Sequence, residues 1–182
     1  MPKIISGSLK GRNIKGYDIP GTRPTMDRVK ESVFAMIQNY LCNAVVLDLF
    51  AGSGNLGIES LSNGASKVYF NDKNIQCIKA INENLKTFNI EKFSVVTKFD
   101  YLEALNWYEK EHIQFDLVFL DPPYKDLIND SILELLIKKK LLKDNSLVIC
   151  ESTKQLNYQN SHLVVFKEKK YGDKIIIIYQ YQ

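Results

Sequence analysis

The stretch Val45-Val46-Leu47-Asp48-Leu49-Phe50-Ala51-Gly52-Ser53-Gly54-Asn55-Leu56-Gly57 constrains the fold more than any other part of the chain. A run of β-branched and apolar residues breaks at a glycine-rich turn and resumes with helical spacing at Leu56, Ile58 and Leu61, which predicts a buried strand, a tight turn and a helix. The same alternation then repeats. It predicts strand 45–50, helix 55–63, strand 67–71, helix 74–88, strand 93–98, helix 101–111, strand 115–120, helix 129–140 and strand 146–151. Strands joined by helical crossovers pair in parallel and need cover on both faces. The last two apolar runs, 162–166 and 174–181, flank Gly172-Asp173 and read as an antiparallel pair at one edge. Seven strands in a mostly parallel, Rossmann-like sheet are therefore expected.

Ahead of this unit, residues 3–18 alternate short apolar pieces with glycine and read as a small β-hairpin, too poor in core residues to fold alone. Residues 21–24 read as a linker. Thr25 or Asp27 can cap a helix whose buried side is Val29, Val33, Phe34, Ile37 and Leu41. The expected organisation is a basic hairpin extension over 1–22 and one α/β domain over 23–182.

The glycine turn formally contains G-x-G-x-x-G at 52–57, a pattern that can cradle a pyrophosphate. Asp48 argues for a different ligand, because a carboxylate just before the turn repels phosphate and favours the cationic methionyl end of S-adenosylmethionine. Phe50, Ala51, Gly52, Ser53 and Gly54 are then the residues expected to line that cofactor. No Gly-Lys-Ser/Thr follows, so the turn is not a nucleotide P-loop. Asp72 closes the next strand, Val68-Tyr69-Phe70-Asn71, where its carboxylate can accept from both ribose hydroxyls. Asp72 could instead start the helix whose apolar residues are Ile75, Ile78, Ile81 and Leu85. Asp100, past the third strand, can take the adenine amino group.

Asp121-Pro122-Pro123-Tyr124 follows the apolar run Leu117-Val118-Phe119-Leu120. The two prolines can neither continue a ladder nor enter a helix interior, so they fix an extended turn. The Asp121 carboxylate and the Pro122 carbonyl can accept both hydrogens of an exocyclic amine while Tyr124 stacks on the base that carries it. A structural reading competes, with Tyr124 as a lid on the core. Four acids at four strand ends would share one rim, the place where ligands bind in open α/β sheets.

The chain has 182 residues, of which 45% are hydrophobic, enough for one full core. No apolar run approaches the roughly 20 residues of a membrane span and no signal peptide is evident, so a cytoplasmic protein is expected. Cys42, Cys77 and Cys150 lack metal or redox spacing, and His112 and His162 lie near no acid or thiol cluster; no metal site is expected. Charge is unevenly spread. Residues 1–30 carry seven basic and two acidic side chains against a net +3 for the whole, and all three arginines fall at positions 12, 23 and 28. Such clustering favours a nucleic-acid surface, with Lys10, Arg12, Arg23 and Arg28 as the expected phosphate contacts. The run Lys138-Lys139-Lys140 is weaker evidence, since lysines suit a helix C-terminus anyway.

Taken together, Ile4-Ile5-Ser6-Gly7, Lys10-Gly11-Arg12, Arg23-Pro24-Thr25, Asp27-Arg28-Val29-Lys30-Glu31, the turn at 48–54, Asp121-Pro122-Pro123-Tyr124 and Tyr171-Gly172-Asp173 resemble the bacterial RsmD-type 16S ribosomal RNA guanine-N2 methyltransferases. The resemblance covers nearly the whole chain. Its basic N-terminal signature is the narrower part, since the glycine turn and D-P-P-Y are shared with many amino methyltransferases. Asn55 and Asn71 depart from it, each standing where an apolar residue is more usual. The resemblance implies a class I methyltransferase fold, S-adenosyl-L-methionine as cofactor, and methyl transfer to N2 of one guanine in small-subunit RNA that already carries ribosomal proteins. A monomer is expected. Competing readings are an adenine-N6 methyltransferase of DNA or RNA, held by the same acceptors, and a non-catalytic RNA-binding ribosome-assembly protein. A nicotinamide dehydrogenase fits least, because no hydride-transfer acid/base is evident.

Overall fold

A computed structural model describes residues 2–16, 27–122, 128–153, 156 and 158–182, without the side chains of Asp27 and Ile128. Its centre is a seven-stranded sheet in the order β3-β2-β1-β4-β5-β7-β6. The strands are β1 (Val45–Asp48), β2 (Lys67–Asn71), β3 (Ser94–Thr97), β4 (Phe115–Leu120), β5 (Leu142–Ser152), β6 (Leu163–Tyr171) and β7 (Lys174–Tyr181). The first five are parallel neighbours, and β7 enters antiparallel between β5 and the edge strand β6. The helices are α1 (Asp27–Ile37), α2 (Asn55–Ser62), α3 (Ile75–Phe88), α4 (Tyr101–Lys110) and α5 (Ile128–Lys138).

Alternation along each strand divides the core between two faces. Val46, Val68, Phe70, Phe119, Ile176 and Ile178 pack with α1, α2 and α3. Leu47, Val118, Leu120, Val148, Ile177 and Tyr179 pack with α4 and α5. Burial of each large side chain stabilises by about 1.5–3 kcal/mol, which is why the isoleucine run of β7 reads as continuous: it feeds both faces in turn. Val29, Val33, Phe34, Ile37 and Leu41 are all buried, as the helical spacing predicted.

Three details differ from the sequence reading. β5 starts at Leu142, not 146; a register shift lies between the Phe115–Leu142 and Leu117–Leu147 pairs, and the intervening Lys143, Asp144 and Asn145 are polar. That polar interruption hides the strand's beginning. Helix α3 buries Cys77, Ala80, Ile81, Asn84, Leu85 and Phe88, whereas Ile75 is 48% exposed. Its N-cap is Asn74, whose side chain accepts the Gln76 N–H, so Asp72 does not cap this helix. Edge strand β6 runs on to Tyr171, and its lysines suit an edge that must not pair with another chain.

The N-terminal hairpin is held by one antiparallel bridge, Lys3 with Asn13. It is not self-sufficient: Ile4 and Ile14 are buried in the core that α1, α2 and α3 share. Gly7 sits at φ +75, where a Cβ would meet the Ser62 carbonyl oxygen at 1.9 Å. Only glycine permits that approach, which lets Ser8 N–H donate to the Ser62 carbonyl. Residues 17–22, and with them the expected end of the extension, lie outside the described residues, as do Arg23 and Thr25.

Candidate functional site

The sheet order reverses between β1 and β4, which lie side by side with Asp48 opposite Phe119. At the end of β1 the chain turns through Phe50, Ala51, Gly52, Ser53 and Gly54, the last being the left-handed N-cap of α2 at φ +81. A Cβ on Gly57 would lie 2.2 Å from the Phe70 ring, so the first turn of α2 sits directly on β2. This closeness lets the Gly57 N–H donate to the Asp48 carboxylate at 3.0 Å. Asp48 is 3% exposed. Burial pushes its acidity up to about 7; the Gly57 N–H opposes the rise, and the charges of Asp121 and Asp72 add to it. A buried carboxylate poised to ionise is a receptor for a cation.

Asp72, just past β2, accepts the Gly52 N–H at 2.9 Å on one oxygen and the Asn74 N–H at 2.8 Å on the other. Cys77 donates to it as well, and burial together with that carboxylate raises the thiol to about 12. Each carboxylate oxygen has two lone pairs, so Asp72 can fix the glycine turn and still accept from a ligand. The adjacent Asn71 ties three strand ends together. Its amide donates to the carbonyls of Leu49 and Phe99, and its oxygen accepts from the Thr97 hydroxyl and the Phe99 N–H. An apolar residue here would leave these groups unpaired, which accounts for the departure noted in the sequence.

Asp100 is exposed and N-caps α4 in a reciprocal capping box with Glu103. That structural duty occupies one oxygen and leaves the other for a ligand. Nearby, Phe50 and Tyr101 stand 6.2 Å apart between ring centres, two half-buried aromatic faces beside the rim.

Asp121 follows β4 and is half-buried, while Pro122 is buried. Pro123 and Tyr124 lie outside the described residues. Asp48, Asp72 and Asp121 share one electrostatic neighbourhood, since the latter two both act on Asp48. Beside Asp121 is a notch of about 20 Å³ whose walls include Lys30, Val33, Leu56, Glu151 and Ile176. Lys30 presents its stem there, because its ammonium already serves the Lys3 carbonyl at 2.7 Å, Asn55 Oδ1 at 2.8 Å and Glu59 at 2.9 Å. Glu59 accepts in addition from the N–H groups of Ile5 and Ser6. Asn55, the other departure, is thus one member of a buried network that clamps the hairpin to α1 and α2.

Lys30, Glu59 and Glu151 were missed in the sequence reading. Each had a signal: a charged residue at a position that helical or strand spacing assigns to the interior, as Glu151 does directly after Leu147-Val148-Ile149-Cys150. Of the expected phosphate contacts, Lys10, Arg12 and Arg28 are exposed. The Arg12 guanidinium lies 5.7 Å from the Phe88 ring centre, a stacked arrangement that holds it out from the hairpin.

The family model described as Conserved hypothetical protein 95 matches residues 2–180. A Bacillus subtilis protein provisionally named rRNA methyltransferase YlbH is 37% identical over 180 residues, covering 98% of each chain. Ribosomal RNA small subunit methyltransferase D of Buchnera aphidicola is 35% identical over 153 residues, 84% of this chain and 78% of its own. Among solved structures, the Escherichia coli protein yhhF, provisionally described as a methyltransferase, superposes with a TM-score of 0.87 at 27% identity over 99% of this chain and 97% of its own.

Proposed function

The chain belongs to the family described as Conserved hypothetical protein 95, as an S-adenosylmethionine-dependent methyltransferase related to the RsmD and YlbH proteins, and from that premise we propose that it methylates the exocyclic N2 of one guanine in small-subunit (16S) ribosomal RNA. The observation that carries this reading is the position of Asp121: half-buried past the end of β4, at the reversal of strand order, in the same neighbourhood as Asp48 and Asp72. An acceptor for the target amine would then face the cofactor across one crevice.

The donor set fits S-adenosyl-L-methionine. Asp48 receives its cationic methionyl end, Phe50 to Gly54 line it, Asp72 takes the ribose hydroxyls and Asp100 the adenine amine. When bound, the cofactor supplies a methyl group made electrophilic by its positive sulfur. The guanine amine is a poor nucleophile because its lone pair is delocalised into the ring. Asp121 and the Pro122 carbonyl accept its two hydrogens, which localises that pair, orients it and favours the positive charge that develops on nitrogen. Pro123 fixes the turn and Tyr124 the plane of the base. Residues 1–22 act as an RNA-binding extension in which Lys10 and Arg12, with Arg23 and Arg28 beyond it, hold phosphates. Their contacts offset the few kcal/mol needed to turn out a paired or stacked base. The protein works as a cytoplasmic monomer on RNA that carries ribosomal proteins.

The test is methyl transfer from labelled cofactor to small subunits isolated from cells lacking the protein, with the product nucleoside identified. N2-methylguanosine is expected, and Asp121→Ala should abolish it while changing cofactor affinity only a few fold. N6-methyladenosine as the product would replace this reading with that of an adenine enzyme.

A further inference from the structure

Asp121 is not the only carboxylate at this end of the sheet. Leu120 of β4 pairs with Cys150 of β5, and both side chains point to the α4/α5 face. By alternation the next residues, Asp121 and Glu151, turn together to the opposite face, about 4.8 Å apart across neighbouring strands. Glu151 pairs across β5 and β7 with Ile176, which belongs to that opposite face. Both acids line the same notch. Glu151 is 5% exposed, and Lys174 holds its Oε1 at 2.6 Å, which fixes the carboxylate and keeps it ionised.

The remaining walls are apolar apart from Lys30, whose three protons are committed elsewhere. A free volume of about 20 Å³ is room for about one water molecule. Such a notch is an edge reader, not a cavity for a whole base. Two acceptors side by side, with no uncommitted donor among the described residues of the notch, call for a ligand edge that carries two neighbouring donors.

We propose that Glu151 is a specificity-determining residue that accepts the N1–H of the target guanine while Asp121 accepts its N2 amine. This rests on the function proposed above. Guanine presents N1–H and N2–H2 as adjacent donors. Adenine presents an acceptor at N1 beside its amine, which would face the Glu151 carboxylate lone pair to lone pair. Together the two acids select guanine over adenine, a choice that Asp121 and Pro122 alone do not make. No proton changes hands at N1.

The discriminating probe is 2-aminopurine, which keeps the 2-amino group but has an acceptor at N1. Small-subunit RNA carrying guanine or 2-aminopurine at the methylated nucleotide is titrated with the full chain in the presence of S-adenosylhomocysteine, so that binding is read without turnover. The wild type is expected to prefer the guanine RNA by about 10- to 100-fold, the effect of one hydrogen bond to a charged acceptor. Glu151→Gln keeps the shape and the contact to Lys174 but can offer an N–H to the notch, and should bring that ratio to about one or invert it. Should this variant fold poorly, Glu151→Asp keeps the charge beside Lys174 while withdrawing it by one methylene, and is expected to lower the ratio as well. A purely structural ion pair leaves the ratio untouched. An unchanged ratio in a folded variant, with methylation by the wild type intact, overturns this inference alone; a wild type that methylates no guanine in the RNA removes the proposed function and this inference with it.

Discussion

Asp48 combines two requirements that oppose each other. Burial pushes its acidity from 3.8 to about 7, so between those values the folded chain holds a proton that the unfolded chain has released. The native state binds more protons in that window, and this group's contribution to stability therefore falls as pH rises from about 4 to 7. Asp48→Asn keeps an acceptor for the Gly57 N–H and removes the charge. It should raise the melting temperature at pH 8 relative to wild type, narrow the gap between the two at pH 4, and weaken S-adenosylmethionine by at least about 10-fold. Cofactor binding near pH 6.5 should also expel a fraction of a proton, read by calorimetry in buffers of differing ionisation enthalpy; a heat that does not vary with buffer would detach Asp48 from the cofactor's cation. Asp72→Ala should cost affinity by roughly 10- to 100-fold and, because the Gly52 and Asn74 N–H groups lose their acceptor, lower the melting temperature too. Unchanged cofactor affinity would leave Asp72 as a brace for the turn alone.

Among the elements, the N-terminal hairpin depends most on its neighbours. Its backbone donors end on Glu59, and Lys30 is buried against the same carboxylate with neither side chain exposing any surface. Glu59→Ala would strand a buried ammonium and should cost about 3–5 kcal/mol. Limited proteolysis should then cut within residues 2–16 first; a variant as resistant as wild type would show that Ile4 and Ile14 suffice to dock the hairpin. The strands and helices that carry the site were legible because β-branched runs and glycine turns are local signals, as at Val45 to Gly57. Asp48, Asp72, Asp100 and Asp121 were legible for the same reason, each standing where an apolar run stops. What escaped is non-local. Glu59 is explained only by backbone some fifty residues earlier, the start of β5 by a pairing across a register shift, and Glu151 by a strand neighbour and Lys174. Ile75 misled in the other sense: helical spacing counts it with the core, yet it lies beside the N-cap, where α3 has not reached its packing partners.

At the scale of the whole molecule, one end of the chain is basic and the remainder is close to neutral, while the acids that build the site converge on one rim. Among the described residues no helix is long and apolar enough to cross a membrane. A polyanion can be held by the basic segment without entering the acidic crevice, so RNA affinity and cofactor affinity should separate. Neutralising Arg12 or Arg28 is expected to flatten the slope of log affinity against log salt by about one unit and leave S-adenosylmethionine binding unchanged. Normal RNA binding with earlier melting would assign the arginine to structure. The central claim, methyl transfer to a guanine amine of small-subunit RNA, is tested most directly by mass spectrometry of nucleosides from that RNA in cells with and without the protein. Loss of N2-methylguanosine at one position, restored by the wild-type chain and not by Asp121→Ala, is the predicted result; an unaltered N2-methylguanosine content in cells lacking the protein would contradict it.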